Sequence, residues 1–277
     1  MKIGIFDSGL GGLLITRSIH DALPQYDTVY LGDTLHVPYG NRSKEAVYQL
    51  SLQAVDYLFD QENCQLIIIA CNTASASALR RLQQEYLPRN HPERRILGVV
   101  VPTLETAIDM GHDRIGLIAT PYIVQSKVYE DELIKLNPDI EIFSEATPLL
   151  VPLIEHNGTK WARPIIDEYL APLQQQKIES LILGCTHYPH LKSLINESLR
   201  NKVKLISQDE IIPKKLQCYL KKHREITKKL TQNSQNTFYV TDITDTYINT
   251  ASSVYGKNIN LQKVTLPKHN ARLSSVA

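Results

Sequence analysis

The sequence predicts an α/β protein made of two pseudo-symmetric α/β domains with parallel-type sheets. Three observations carry that expectation. Short apolar runs alternate with amphipathic stretches along most of the chain, the pattern of parallel strands covered on both faces by helices. Related residues recur at nearly one spacing: Cys71 and Cys185 lie 114 positions apart, Val37-Pro38 and Val151-Pro152 again 114, Asp7 and Thr120 113. Each cysteine follows an aliphatic run, and Asp7 and Thr120 end such runs too. Equivalent strand ends should therefore meet between the two units, and open α/β sheets bind ligands beyond the carboxyl ends of their strands.

Taken in order, strands are expected at 3–6, 28–31, 66–70, 96–101, 114–119, 141–144, 181–184 and 202–206, with one more at 237–240 after a polar, basic stretch. The clearest helix is 43–61, with Ala46, Leu50, Ala54, Tyr57 and Leu58 on one stripe and Ser43 placed to cap it. The first domain takes residues 1–97 plus the returning segment 208–277, and the second takes 98–207.

Composition narrows the function classes. A chain of 277 residues is long enough for a sizeable core. Its 43% hydrophobic and 21% charged content is ordinary for a soluble globular protein. Thirty basic residues against 29 acidic ones leave a net charge of +1, which recommends neither nucleic acid nor a membrane surface as partner. The basic run 214–229 reads as a solvated helix face. The opening Met1-Lys2-Ile3-Gly4-Ile5-Phe6-Asp7 lacks the apolar core of a signal peptide. No apolar run approaches the ~20 residues of a membrane helix, so a cytoplasmic protein is expected.

The four cysteines, Cys64, Cys71, Cys185 and Cys218, form no C-x-x-C pair. In a reducing compartment each serves packing or chemistry. Cys64 and Cys218 read as packing. Cys71, in Ala70-Cys71-Asn72-Thr73-Ala74, and Cys185, in Gly184-Cys185-Thr186-His187-Tyr188-Pro189, each sit between a strand and a helix-forming stretch. Free N–H groups and the positive end of a helix dipole favour a thiolate there, and a protonated His187 would favour it further. The same N–H groups suit a carboxylate. Two thiols facing each other fit one reaction type. One removes a proton from carbon as thiolate and the other returns a proton to the opposite face, near the unperturbed thiol pKa of about 8.5.

Several motifs together resemble those of the glutamate racemases, within the aspartate/glutamate racemase family. They are Ile5-Phe6-Asp7-Ser8-Gly9-Leu10-Gly11-Gly12-Leu13, Gly32-Asp33-Thr34 with Val37-Pro38-Tyr39-Gly40, the Cys71 motif, Val151-Pro152-Leu153-Ile154-Glu155, and the Cys185 motif. They run in family order from residue 3 to about 190; the C-terminal quarter carries little signature. The resemblance implies glutamate bound between two α/β domains and no cofactor or metal. It implies Cys71 and Cys185 as the two bases, assisted by Asp7 and His187 respectively. It implies substrate contacts from Asp7, Ser8, Tyr39, Gly40, Asn72, Thr73, Thr186 and His187, and more weakly from Thr120 and Glu155. It further implies a homodimer that supplies D-glutamate for peptidoglycan. His36 departs from the family, which usually has arginine there. Some members carry an N-terminal extension that receives a cell-wall precursor activator. This chain begins at its first strand, and that control is not expected.

Alternatives remain at this stage. Gly9-x-Gly11 after the first strand and Asp33 after the second suggest a nucleotide-binding oxidoreductase, but Leu14 stands where the third glycine belongs. An aspartate racemase of the same family, or a non-catalytic binding protein that kept the cleft, would share these motifs. Cys185, His187 and His190 do not follow a usual zinc spacing. No lysine lies in the strand-end motifs to form a Schiff base.

Overall fold

The structure, a computed structural model, describes residues 1–267. Its strands are β1 (Lys2–Asp7), β2 (Thr28–Gly32), β3 (Cys64–Ile69), β4 (Arg95–Gly98), β5 (Arg114–Ala119), β6 (Glu141–Ala146), β7 (Ser180–Gly184), β8 (Lys204–Ile206), β9 (Asn236–Val240) and β10 (Leu261–Lys263). They form two sheets, one ordered β10-β9-β2-β1-β3-β4 and the other β6-β5-β7-β8. Every pairing is parallel. The order β2-β1-β3-β4 is repeated as β6-β5-β7-β8, so each sheet lays its first strand between its second and third. That shared order bears out the expected fold class of two related α/β units.

Burial explains why aliphatic runs became these strands. In β1, β2, β3, β5 and β7 nearly every residue is buried, alternate side chains entering cores on both faces of the sheet. Helix α1 (Gly12–Ala22) covers β1 and β2 together with the helix Gln208–Lys222, and α2 (Lys44–Asp56) and α3 (Asn72–Arg81) cover the other face. Both returning strands, β9 and β10, extend the first sheet beyond β2.

Three local readings needed correction. The run 96–101 is strand only to Gly98; a helix, Val100–Asp109, starts two residues later. Pro102 fits there because a first-turn N–H has no intrahelical partner to lose. Of the expected stripe, Ala54 and Leu58 are buried, but Ala46, Leu50 and Tyr57 are half-buried; Val47, Ser51 and Val55 face the core instead, and α2 ends at Asp56, before Tyr57. The Ser43 cap is present, its Oγ accepting from the Ala46 N–H at 3.2 Å. Strand β10 was not anticipated. It is three residues long with two exposed side chains, and its strand geometry comes from pairing with β9.

His20 ties α1 to the returning segment. Its Nδ1 lies 2.6 Å from the Tyr255 hydroxyl and its Nε2 2.5 Å from Thr28 Oγ1, which donates to Asn236 Oδ1 at 2.8 Å. Those partners assign the ring hydrogen to Nε2. Burial drives the His20 pKa down to about 4, so the native ring stays neutral where the unfolded one charges. The unfolded chain then binds more protons, and stability rises with pH. The contribution is complete above the unfolded value near 6.5 and is lost toward pH 4, about 3 kcal/mol in all. Urea unfolding of wild type and His20→Leu between pH 7 and pH 4 checks this. The wild type should lose stability more steeply on acidification, and parallel slopes would refute the assignment.

Candidate active site between the two sheets

The carboxyl ends of β1, β3, β5 and β7 converge on a cavity of about 40 Å³. On the first sheet's side its wall is Ser8 after β1, the turn carrying Tyr39 and Gly40, and Cys71, Asn72 and Thr73 at the start of α3. On the other side it is Thr120 after β5, Glu155 of the helix Leu150–Glu155, and Cys185, Thr186 and His187 after β7. Every site residue expected from sequence lines this cavity except Asp7, which lies directly behind it. Asp7 Oδ1 accepts from Thr186 Oγ1 at 3.3 Å and Oδ2 from the Gly9 N–H at 3.1 Å. Val37 and Pro38 of one recurring pair and Val151 of the other also line the cavity, as does Gly184.

A glycine makes the approach between the two sides possible. A Cβ on Gly11 would lie 2.4 Å from Thr186 Oγ1 and 2.7 Å from His187 Nδ1. A side chain at Gly11 would collide with the Thr186 hydroxyl, which donates to Asp7, and with the His187 ring.

Cys71 caps α3. Its sulfur accepts the Ala74 N–H at 3.4 Å and donates to Ser8 Oγ at 3.3 Å. The helix-start effect anticipated from sequence is thus present, but burial outweighs it. Burial, reinforced by the Asp7 carboxylate, pushes the thiol up to about 12 despite both hydrogen bonds. Cys71 holds its proton at neutral pH.

The other thiol has a different neighbour. Cys185 Sγ lies 3.7 Å from His187 Nδ1. Glu155 Oε1 stands 3.1 Å from His187 Nε2, off the N–H line, so the contact is an ion pair without hydrogen-bond geometry. Burial opposes charge on this imidazole, but Cys185 and Glu155 override it and hold the pKa well above the usual histidine value. Asp7, fully buried, is shifted up by desolvation, while His187 and the Gly12, Gly9 and Thr186 donors pull it back.

Supporting residues were only partly visible beforehand. Tyr39 donates to Asp33 at 2.7 Å, as does Thr241 at 2.7 Å, and His36 Nδ1 lies 2.9 Å from the same carboxylate. Asp33 is therefore a buried anchor for the Tyr39 turn with its oxygens engaged, not an acid awaiting a ribose. His36, the departure from the family pattern, is part of that anchor. Asn72 is held by Tyr129 and Gln208, neither of which carried any motif signal. Thr120 Oγ1 is buried without a hydrogen-bond partner among the described residues, a polar atom free to meet a ligand. Among the described residues, no group of three His, Cys, Asp or Glu side chains is arranged to hold a metal ion.

Comparison with known proteins agrees with this geometry. A family model described as Asp/Glu/Hydantoin racemase matches residues 3–211. The chain is 35% identical over 258 residues to a glutamate racemase of Geobacter metallireducens, covering 92% of each sequence. It is 43% identical over 198 residues to one from Sulfurihydrogenibium sp., covering 70% of this chain and 74% of that one. The crystal structure of the Francisella tularensis glutamate racemase in complex with D-glutamate superposes with a TM-score of 0.86 at 33% identity, covering 96% of this chain and 97% of that one.

Burial also ranks the thiols by reactivity. Cys64 is inaccessible and its thiol is pushed up to about 12, whereas Cys218 is exposed. Iodoacetamide at pH 7.5, read by peptide mass mapping, should modify Cys218 first and leave Cys64 and Cys71 intact. Alkylation of Cys71 as fast as Cys218 would contradict the protonated, enclosed state described for it.

Proposed function

Because this chain belongs to the Asp/Glu/Hydantoin racemase family, we propose that it is a glutamate racemase working by two-base proton transfer between Cys71 and Cys185 without a cofactor. The observation that carries this is the pair of thiols at equivalent strand ends, lining one cavity from its two sides. In one direction the Cys185 thiolate, beside the His187 imidazolium, takes the α-proton and becomes a thiol. The electron pair left on carbon is held as a carbanion-like state by donors at the α-carboxylate. Cys71 then gives its proton to the opposite face and becomes the thiolate, completing inversion with no redox change. The reverse direction starts from that second ionisation state.

Asp7 works on the Cys71 side and His187 on the Cys185 side. Ser8, Tyr39-Gly40, Asn72-Thr73, Thr120 and Thr186 supply polar contacts to the amino acid, with Asp7 and His187 within reach of it. Glu155 acts chiefly through His187, given the 3.1 Å ion pair between them. Identities of 35% and 43% to glutamate racemases favour glutamate over aspartate as substrate. The engaged carboxylate of Asp33 speaks against the oxidoreductase alternative.

We further propose two structural units, 1–97 with 208–277 and 98–207, of which residues 268–277 lie outside the described residues. Two sheets of repeated strand order support that division. The family resemblance supports a homodimer in the cytoplasm that supplies D-glutamate for peptidoglycan. No helix among the described residues is long and apolar enough to cross a membrane. In the basic run, Lys215 pairs with Glu105 at 2.8 Å, which fits a solvated face better than a nucleic-acid site.

Circular dichroism of the purified protein with L-glutamate and, separately, D-glutamate tests the activity. Both signals should decay to the same optically inactive mixture with nothing added, and aspartate should change far more slowly. Cys71→Ala and Cys185→Ala should each abolish racemisation, by at least ~10³-fold if a general acid or base is lost, while Cys64→Ala should not. Full activity in either of the first two variants would refute the two-thiol mechanism.

A further inference from the structure

Three buried side chains join Asn72 to both places where the chain crosses between the sheets. Asn72, Gln208, Tyr129 and Thr103 are all at most 3% exposed. Thr103 lies in the helix Val100–Asp109, just after the chain leaves the first sheet, and Gln208 begins the helix Gln208–Lys222 on its return. Asn72 and Gln208 form a reciprocal amide pair, with Asn72 Nδ2 donating to Gln208 Oε1 at 2.8 Å and Gln208 Nε2 donating to Asn72 Oδ1 at 2.8 Å. The Tyr129 hydroxyl also donates to Asn72 Oδ1, at 2.7 Å, and Gln208 Nε2 lies 3.1 Å from that hydroxyl and 3.4 Å from Thr103 Oγ1.

The donor and acceptor inventory of an amide turns this into a statement about ligand chemistry. A side-chain carbonyl has two lone pairs and its NH₂ two hydrogens. Asn72 Oδ1 accepts twice and Nδ2 donates once, so a single N–H is uncommitted. Rotating the Asn72 amide alone would set two NH₂ groups against each other and leave two buried carbonyls unpaired, and rotating both amides together would set Gln208 Oε1 against Thr103 Oγ1, whose hydrogen is donated to the Val99 carbonyl at 2.6 Å; both are costly in a buried site. We propose that Gln208 and Tyr129 are positioning residues that lock Asn72 as a one-hydrogen donor aimed at an acceptor oxygen, a carboxylate of the amino-acid substrate. This rests on the assignment of Asn72 to substrate binding, and it adds a specificity device: the locked amide rejects a donor at that position.

Steady-state racemisation from both enantiomers distinguishes this from simple packing. Gln208→Leu should raise KM for glutamate roughly five- to ten-fold with kcat changed less than about two-fold, and Tyr129→Phe should raise KM roughly two-fold. The same Gln208→Leu change made on top of Asn72→Ala should add nothing further to KM, because the residue it positions is gone. Gln208→Glu supplies a separate readout and guards against a leucine variant that fails to fold. A neutral carboxylic acid reproduces the amide's donor and acceptor, so its KM relative to wild type should be near one at low pH and climb as the carboxyl ionises. The proposal is overturned if Gln208→Leu multiplies KM equally with and without Asn72, if it lowers kcat alone, or if the Gln208→Glu ratio is flat with pH. An Asn72→Ala variant with unchanged KM would instead remove the binding assignment, and the positioning role with it.

Discussion

A single ionisable base lies among the cavity-lining residues, and three acidic groups compete for its charge. His187 faces Cys185 through Nδ1 and Glu155 through Nε2, and its charge reaches Asp7 behind Thr186. Among buried groups such interactions are strong and an uncompensated charge is costly. One cation cannot neutralise every acid around it. Cys71, farthest along this sequence of contacts and next to Asp7, is the one that keeps its proton. Burial and then Asp7 hold the proton on Cys71, while one imidazole meets the acidic groups on the other side of the cavity.

That placement depends on two chain segments from different sheets pressing together. The turn after β1 must be side-chain-free at Gly11 for Thr186 and His187 to come close enough to Asp7. The segment after β7 is brought to the same level because β7 occupies in its sheet the place β3 occupies in the other. Repeated strand order thus acts as a registration device. It sets Cys71 and Cys185 at the ends of equivalent strands, and the Thr186–Asp7 hydrogen bond joins the two sides.

Much of this was legible in the sequence, for definite reasons. Strands buried on both faces announce themselves as aliphatic runs, so β1, β2, β3, β5 and β7 were located to within two residues at each end. The recurrence of cysteine after such runs located the site, because strand termini are where a parallel sheet exposes functional groups. Contacts made by tertiary structure alone were not legible. Gln208 and Tyr129 sit in ordinary helical contexts, and only folding brings them to Asn72. Strand β10 has no pattern of its own, and the buried face of α2 could not be fixed to one residue by periodicity because the polar Ser51 is buried while Leu50 beside it is only half-buried. The Cys71 thiol was misjudged in degree. Local sequence shows a helix start, but the extent of desolvation depends on the opposing unit.

The matched scaffold and the unmatched electrostatics have to be considered together. A catalyst that inverts a stereocentre in both directions needs its two proton carriers geometrically equivalent, and pseudo-symmetry of the sheets provides that. Identical surroundings would be a disadvantage, however, because each form of the enzyme must hold one thiol protonated and the other ionised at the same moment. Asp7 beside Cys71 and His187 beside Cys185 give the two thiols unlike surroundings: burial and the carboxylate hold the proton on Cys71, and the imidazole beside Cys185 is held above its usual pKa. The bias must stay small enough for the opposite form to be reached in every turnover. Glu155 works in that sense. Its carboxylate meets the far side of the ring and shares the charge that Cys185 faces through Nδ1, so under the proposed two-thiol mechanism it narrows the difference between the two ends of the site.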